Sequence, residues 1–197
     1  YKYYLLFMPY ALKKIDLRKY DLIISSESGP SKGIIRSKKS LHVCYCHSPM
    51  RYLYDMRHEY LNKYSFLLKK LINIIFNYLQ KWDYKTAQKI DLVIANSNFV
   101  SSRIRKNWNR SSTVIHPTIN LDEFYISKTK KSYYIILSEL VSYKKIDIAI
   151  EAFNKSKKEL YIIGSGSLLK KFRKLSNKNI RFLSNVTDSQ KTAYLSN

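Results

Sequence analysis

Lys144 and Lys145 stand in a polar loop between an apolar run, Tyr134 to Leu137, and a helix-period segment, Ile146 to Phe153. A second apolar run, Leu160 to Ile163, ends in Gly164-Ser165-Gly166. Lysine ammonium groups and backbone N–H groups exposed by glycines suit phosphate oxygens, the more so beside a helix N-terminus. Gly-Ser-Gly lacks the third glycine of a dinucleotide fingerprint, so alone it also fits an ordinary turn, and the lysine pair alone also fits a solvated helix start. A second group of candidates lies earlier. His47, just before Ser48-Pro49, follows the apolar run Leu41 to Cys46, at a strand end where α/β enzymes place working side chains. On position alone it serves equally well as a hydrogen-bond partner of a neighbouring loop. His42, Cys44 and Cys46 alternate along that run, and side chains two apart on a strand point in parallel instead of converging on one ion at about 2.0 to 2.3 Å. Two buried cysteines and no metal are expected there. His58-Glu59 lacks the second histidine of a metalloprotease motif, and no Walker-type loop, serine elbow or kinase signature occurs.

The elements that must position these residues alternate strand and helix. Tyr134 to Gly166 reads as strand, loop, helix, strand and glycine loop, about the length of a βαβ unit. Parallel strands joined by a crossover helix deliver their loops to one sheet edge, so Lys144 and the glycines are expected to share it. Upstream, Tyr3 to Leu12 reads as a helix end and Asp21 to Ser26 as a short buried strand. With Leu41 to Cys46, that strand forms a second candidate edge, whose polar loops contain Glu27 and His47. Leu61 to Trp82 carries Tyr64, Leu67, Leu68, Leu71, Ile75, Tyr78, Leu79 and Trp82 at helical spacing, read as a core-facing stripe with Lys63, Lys69, Lys70 and Lys81 on a solvated face. As a basic amphipathic helix it also suits an anionic surface, but no run reaches the roughly 18 apolar residues of a membrane span. Asp91 to Ala95 is a third strand, with Asn96-Ser97-Asn98 capping a helix from Phe99 to Lys106, and Thr113 to Ile115 is a fourth. The Pro117 turn and the charged stretch after it mark a domain boundary near residue 120. Beyond Gly166 the pattern predicts a helix from Leu168 to Leu175, a strand from Asn179 to Leu183, and a last helix capped at Thr187-Asp188.

The chain has 197 residues, enough for one large or two small α/β domains, and 45% hydrophobic content excludes a disordered chain. It starts at Tyr1 with neither Met nor a secretory h-region, so it reads as a piece of a longer protein. The formal charge is +22, from 27 lysines and 9 arginines against 14 acids. Nucleic-acid readers lean on arginine for bidentate contacts, whereas this lysine excess comes with abundant Ile, Asn and Tyr. Base-composition drift is therefore ranked first, an anionic membrane surface second and nucleic acid last. Cys44 and Cys46 are badly spaced for a mutual disulfide, which fits a reducing compartment.

The order of motifs resembles family 4 glycosyltransferases. The resemblance rests on DLIISSESGPSKGI (21 to 34), CYCHSPMRYLYD (44 to 55), DLVIANSNFVSSRI (91 to 104), VIHPTINLDEF (114 to 124), LSELVSYKKIDIAIEAFNK (137 to 155), LYIIGSGSLLKKF (160 to 172) and NIRFLSNVTDSQKTAYLSN (179 to 197). It implies a GT-B α/β fold of two Rossmann-like parallel-sheet domains, both incomplete here: residues 1 to 120 as the later part of the acceptor-side domain and 121 to 197 as the first half of the donor domain. It implies transfer of a sugar, with mannose the leading candidate, from a GDP- or UDP-linked donor to a glycan or lipid-linked acceptor with retained configuration. The expected setting is bacterial cell-surface polysaccharide or lipopolysaccharide synthesis, in the cytoplasm or peripheral at the inner face of the cell membrane, with no cofactor, metal or nucleic acid required. By the same resemblance His47 contacts the donor sugar, Lys144 holds the donor diphosphate, and Gly164 and Gly166 line the nucleotide. The sequence departs from the family at Ser138-Glu139, where members carry a Gly-Arg pair. The glutamate pair that members place in the next loop would fall after Asn197. The rival expectations are a catalytically inactive GT-B binding domain and, behind it, a basic nucleic-acid module.

Overall fold

In the computed structural model, which describes residues 2–128 and 130–197, two parallel sheets form in separate compact units, Tyr1–Thr118 and Ile119–Asn197. Tyr1, in the expected acceptor-side domain, and Thr129, in the lysine-rich stretch after it, lie outside the described residues. The chain opens with a 3-10 segment, Lys2–Phe7, and the short helix α1 (Met8–Lys13), so the expected Tyr3 to Leu12 helix splits just ahead of Pro9. Four strands follow: β1 (Leu22–Glu27), β2 (Leu41–Cys46), β3 (Leu92–Ala95) and β4 (Thr113–Val114). They pair in sequence order, all parallel. Between them lie α2 (Arg57–Leu61), α3 (Phe66–Ala87) and α4 (Asn98–Trp108).

Right-handed crossovers that always step the same way place their helices on one face of a sheet. The burial of β1 follows that rule: Ile23, Ser25 and Glu27 are buried, whereas Leu22, Ile24 and Ser26 face the open side. On β2 the buried positions are His42, Cys44 and Cys46, and both thiols are fully covered by Ala87, Ile90, Ile104 and Trp108. Burial pushes the Cys44 thiol up to about 11 and that of Cys46 higher still. His42 is a core histidine, with Nε2 2.9 Å from Ser25 Oγ, and burial holds its imidazole below the usual range.

Glu27 was expected to stand with His47 in the polar edge loops, but it is completely buried. Strand alternation points it at the helices, where Lys32 and Asp83 complete an ionic cluster with no side-chain exposure. Each carboxylate offers one oxygen to Lys32 Nζ and the other to two neutral donors. Glu27 Oε1 accepts from Nζ at 3.1 Å, while Oε2 accepts from Ser31 Oγ at 2.5 Å and from the Lys32 backbone N–H at 2.9 Å. Asp83 Oδ1 accepts from Nζ, and Oδ2 accepts from Tyr54 OH at 2.8 Å and Trp108 Nε1 at 2.7 Å. The cluster ties the end of β1 to α3 and to the last turn of α4.

The expected Leu61 to Trp82 helix is displaced toward the C-terminus. Ser65 is extended (φ −62°, ψ 160°), and α3 runs from there to Ala87, with Phe76, Leu79, Asp83, Thr86 and Ala87 on its buried side. Leu67, Leu71 and Tyr78, read as core, are exposed beside the lysines. The sheet-facing direction is set by Asp83 and its partners, which hydropathy alone would place outside.

The second unit contains β5 (Tyr134–Leu137), α5 (Ile146–Ser156), β6 (Leu160–Ile163), α6 (Leu169–Leu175), β7 (Ile180–Leu183) and α7 (Asp188–Ser196). Its sheet has the parallel order β5-β6-β7, and Leu140, Ile146, Ile150, Leu160, Ile162, Phe172 and Ile180 form the core under α5 and α6. Thr187 caps α7 in a full capping box with Gln190.

Candidate functional site

The carboxyl edge of the first sheet carries polar groups at successive strand ends. His47 lies one residue beyond β2 on the open face, because Cys46 before it takes the buried one. Its backbone N–H extends the ladder to Glu27 O (2.8 Å), and its Nε2 lies 2.8 Å from Ser26 Oγ, the last open-face side chain of β1. The Tyr45 ring meets the imidazole edge-on at 5.2 Å. His47 therefore does bond a neighbouring strand end, yet stays exposed. With Nε2 engaged by serine, Nδ1 is the ring nitrogen open to a ligand.

The ladder continues outward through Asn96, whose N–H reaches Cys46 O at 3.3 Å, and Ile115, whose N–H reaches Ala95 O at 3.0 Å. His116 then places Nδ1 3.2 Å from the Asn96 carbonyl oxygen. His116 is not among the site residues expected from the sequence. The available signal was its likeness to His47, a histidine just past an apolar strand and ahead of a proline.

The second unit brings together the two loops expected to share an edge. Ser138 N–H donates to Ile163 O (3.0 Å), Leu140 N–H to Ser165 O (2.8 Å), and Leu168 N–H to Leu140 O (3.1 Å). The backbones run side by side past the ends of β5 and β6, and the glycines permit it. Gly164 and Gly166 take φ of +149° and +156°, and a Cβ on either would collide with the carbonyl oxygen of Ser138 or Leu140. Gly164→Ala is expected to cost about 1–3 kcal/mol for the backbone conformation, plus the displacement of Ser138. A urea midpoint matching that of the parent would show that the loops separate without penalty.

Lys144 ends a 3-10 turn, Ser142–Lys144, on the first of these loops, exposed, with Nζ 5.5 Å from the Tyr143 ring centre. Lys145 is the N-cap of α5, in left-handed conformation (φ 53°), and its side chain does not cap that helix; the Ile148 N–H donates to Lys145 O (3.2 Å), and those of Ile146 and Asp147 face solvent or a ligand. Glu139 is exposed, and its carboxylate has no ion pair among the described residues. Of the four predicted site residues, His47 belongs to the first unit, and Lys144, Gly164 and Gly166 to the second.

Residues 1–123 match the model of Glycosyltransferase Family 4. An alpha-1,3/1,6-mannosyltransferase of Kluyveromyces lactis is 28% identical over a region covering 63% of this chain and 26% of the relative. A crystal structure of an S. aureus TarM variant in complex with fondaparinux, alpha-GlcNAc-glycerol and UDP superposes with a TM-score of 0.57 at 20% identity, covering 91% of this chain and 36% of that one. The chain thus spans about a quarter of the length of the first and about a third of the second. The structural likeness, with the two parallel-sheet units, shows the fold as GT-B type.

Proposed function

The chain belongs to glycosyltransferase family 4, and from that premise we propose that the whole protein transfers a sugar from a nucleotide-sugar donor to a glycan or lipid-linked acceptor. The observation that carries this reading is the family match over residues 1–123. We assign mannose as the sugar, a GDP- or UDP-linked donor, retained configuration, and a role in cell-surface polysaccharide or lipopolysaccharide synthesis at the inner face of an anionic membrane. The mannosyltransferase relative supports the sugar, and UDP in the TarM complex supports a nucleotide donor.

In this reading the Lys144 ammonium faces the diphosphate, where charge grows as the glycosidic bond breaks, so it stabilises the transition state more than bound substrate. Gly164 and Gly166 keep side chains off the adjoining backbone. His47, oriented by Ser26, acts on the transferred sugar. His47→Ala is expected to impair transfer more than nucleotide binding; equal losses in both would mark a structural histidine.

The test is to incubate the complete protein with UDP- and GDP-sugars and a glycan acceptor, and to read donor choice and anomeric configuration by NMR. The expected result is transfer from one donor class with configuration retained. Absence of both turnover and nucleotide-sugar binding would end the proposal. One observation favours a second reading: Glu139, exposed without an ion pair near the phosphate-facing loop, would repel a diphosphate. It predicts a catalytically inactive GT-B binding or regulatory domain, with no turnover and weakened affinity for nucleotide sugars.

A further inference from the structure

We infer that the outward face of α3 is a docking surface for an anionic lipid membrane. The inference rests on the membrane setting proposed above and identifies the surface that would make the contact. At 100° per residue, Phe76, Leu79, Asp83, Thr86 and Ala87 define the buried side, and Leu67, Ile74, Tyr78, Lys70, Lys81 and Lys85 fall close to the direction opposite to it. A stripe of large apolar residues therefore points away from the protein: Leu67 is 78% exposed, Ile74 66% and Leu71, at its margin, 56%.

The charges on the helix are one-sided. Its only acidic residue, Asp83, is buried against Lys32, while Lys70, Lys81 and Lys85 are exposed, and none of the three forms an ion pair among the described residues. Apolar side chains lying between unpaired lysines match a bilayer interface, where hydrocarbon meets anionic headgroups and lysine stems reach outward to them. Among the described residues no helix is long and apolar enough to cross a membrane, so α3 would lie along it. A second copy of this chain is disfavoured as the occupant, since it would bring the same lysines and the same +22 charge to the contact.

Helix length explains why the apolar surface is left bare and where it lies. The 22 residues of α3 extend about 33 Å, against about 20 Å for the six residues of β2. α3 reaches β3 within a short turn at its C-terminal end, so the excess overhangs the carboxyl edge of the sheet. Phe66, Leu67, Leu68 and Leu71 are in that overhang, at the end of the unit that bears His47. A membrane held there would meet the carboxyl end of the unit, the end at which His47 stands on the opposite, open face of the sheet.

The test compares the full-length protein with two variants in vesicle co-sedimentation: Leu67→Ser/Leu71→Ser/Ile74→Ser and Lys70→Gln/Lys81→Gln/Lys85→Gln. The vesicles are pure phosphatidylcholine or an equal mixture of phosphatidylcholine and phosphatidylglycerol. The parent is expected to bind only the anionic vesicles, and each variant to lose binding by about tenfold or more. Because the substituted positions are exposed, thermal midpoints and transfer to a water-soluble acceptor should not change. As a measurement on the folded parent surface, Tyr78→Trp should shift its emission to the blue on adding anionic vesicles. If the parent binds and both variants bind equally well, α3 is not the surface, although the membrane setting survives. A parent that ignores anionic vesicles overturns both. A tryptophan already blue-shifted without lipid, or a dimer that the serine variant dissociates, gives the face a different occupant and overturns the inference.

Discussion

Asp83→Ala is expected to destabilise the first unit by about 3–5 kcal/mol, the usual consequence of removing one partner from a fully buried ion pair. The substitution strands Lys32 beside Glu27 alone and takes the acceptor from Tyr54 OH and Trp108 Nε1. Lys32 Nζ would also remain 4.7 Å from the Trp108 ring centre, a contact too weak to replace a carboxylate. Asp83→Asn, which keeps an oxygen for the two neutral donors, should cost less. Chemical unfolding followed by Trp fluorescence reads both, and a loss below about 1 kcal/mol for the alanine variant would contradict the cluster as drawn.

The same cluster determines a pH dependence. Burial pulls the Lys32 ammonium toward deprotonation, but attraction to Asp83 and Glu27 and the hydrogen bonds they accept outweigh it, so its pKa lies above the ordinary value of 10.5. A group whose pKa is raised on folding contributes stability that is complete below its unfolded value and lost as pH rises through the folded one. Titration of Lys32 should therefore leave stability unchanged from neutral pH to near 10.5 and erode it above. Lys32→Met should remove that alkaline component of the profile.

Lys144→Ala is expected to lower turnover of the complete protein by roughly ten- to a hundredfold, through lost stabilisation of charge on the departing diphosphate. KM for the nucleotide sugar should move less than kcat, because the interaction strengthens as the bond breaks. Lys145 provides the internal comparison: it is the left-handed N-cap of α5, and its replacement by alanine should affect turnover less. If Lys145→Ala proves the more damaging, the role moves by one position. Unchanged turnover in Lys144→Ala removes that lysine from the diphosphate contact.

Much of the second unit was legible in the sequence. Tyr134–Leu137 and Leu160–Ile163 form strands over the predicted residues, because short apolar runs bounded by polar loops and glycines have few other ways to bury themselves. The cap residues Ser97 and Thr187 were legible for a local reason, since a side-chain oxygen three residues ahead of a free N–H acts within one turn. At His47 the strand period was enough to place the side chain at the carboxyl edge of β2.

The remainder depended on contacts between residues far apart in the chain. Glu27 has its partner Lys32 five residues on, but nothing local indicates that the pair is buried, since Asp83, the second carboxylate on Lys32, comes from 51 positions after that lysine; both acids look like surface residues until Lys32 comes between them. The direction of α3 follows from that pairing, and hydropathy misassigned Leu67, Leu71 and Tyr78 because exposed apolar residues at helical spacing look the same as core ones. By itself the sequence determined the alternation of elements, the family, and the loops that carry Lys144, Gly164, Gly166 and His47, all of which rest on short-range periodicity and turn chemistry. Only the tertiary structure decided which side of each element is covered. That depends on which helices reach which face of a sheet, and on a buried salt bridge whose members are too distant in the chain to recognise one another beforehand.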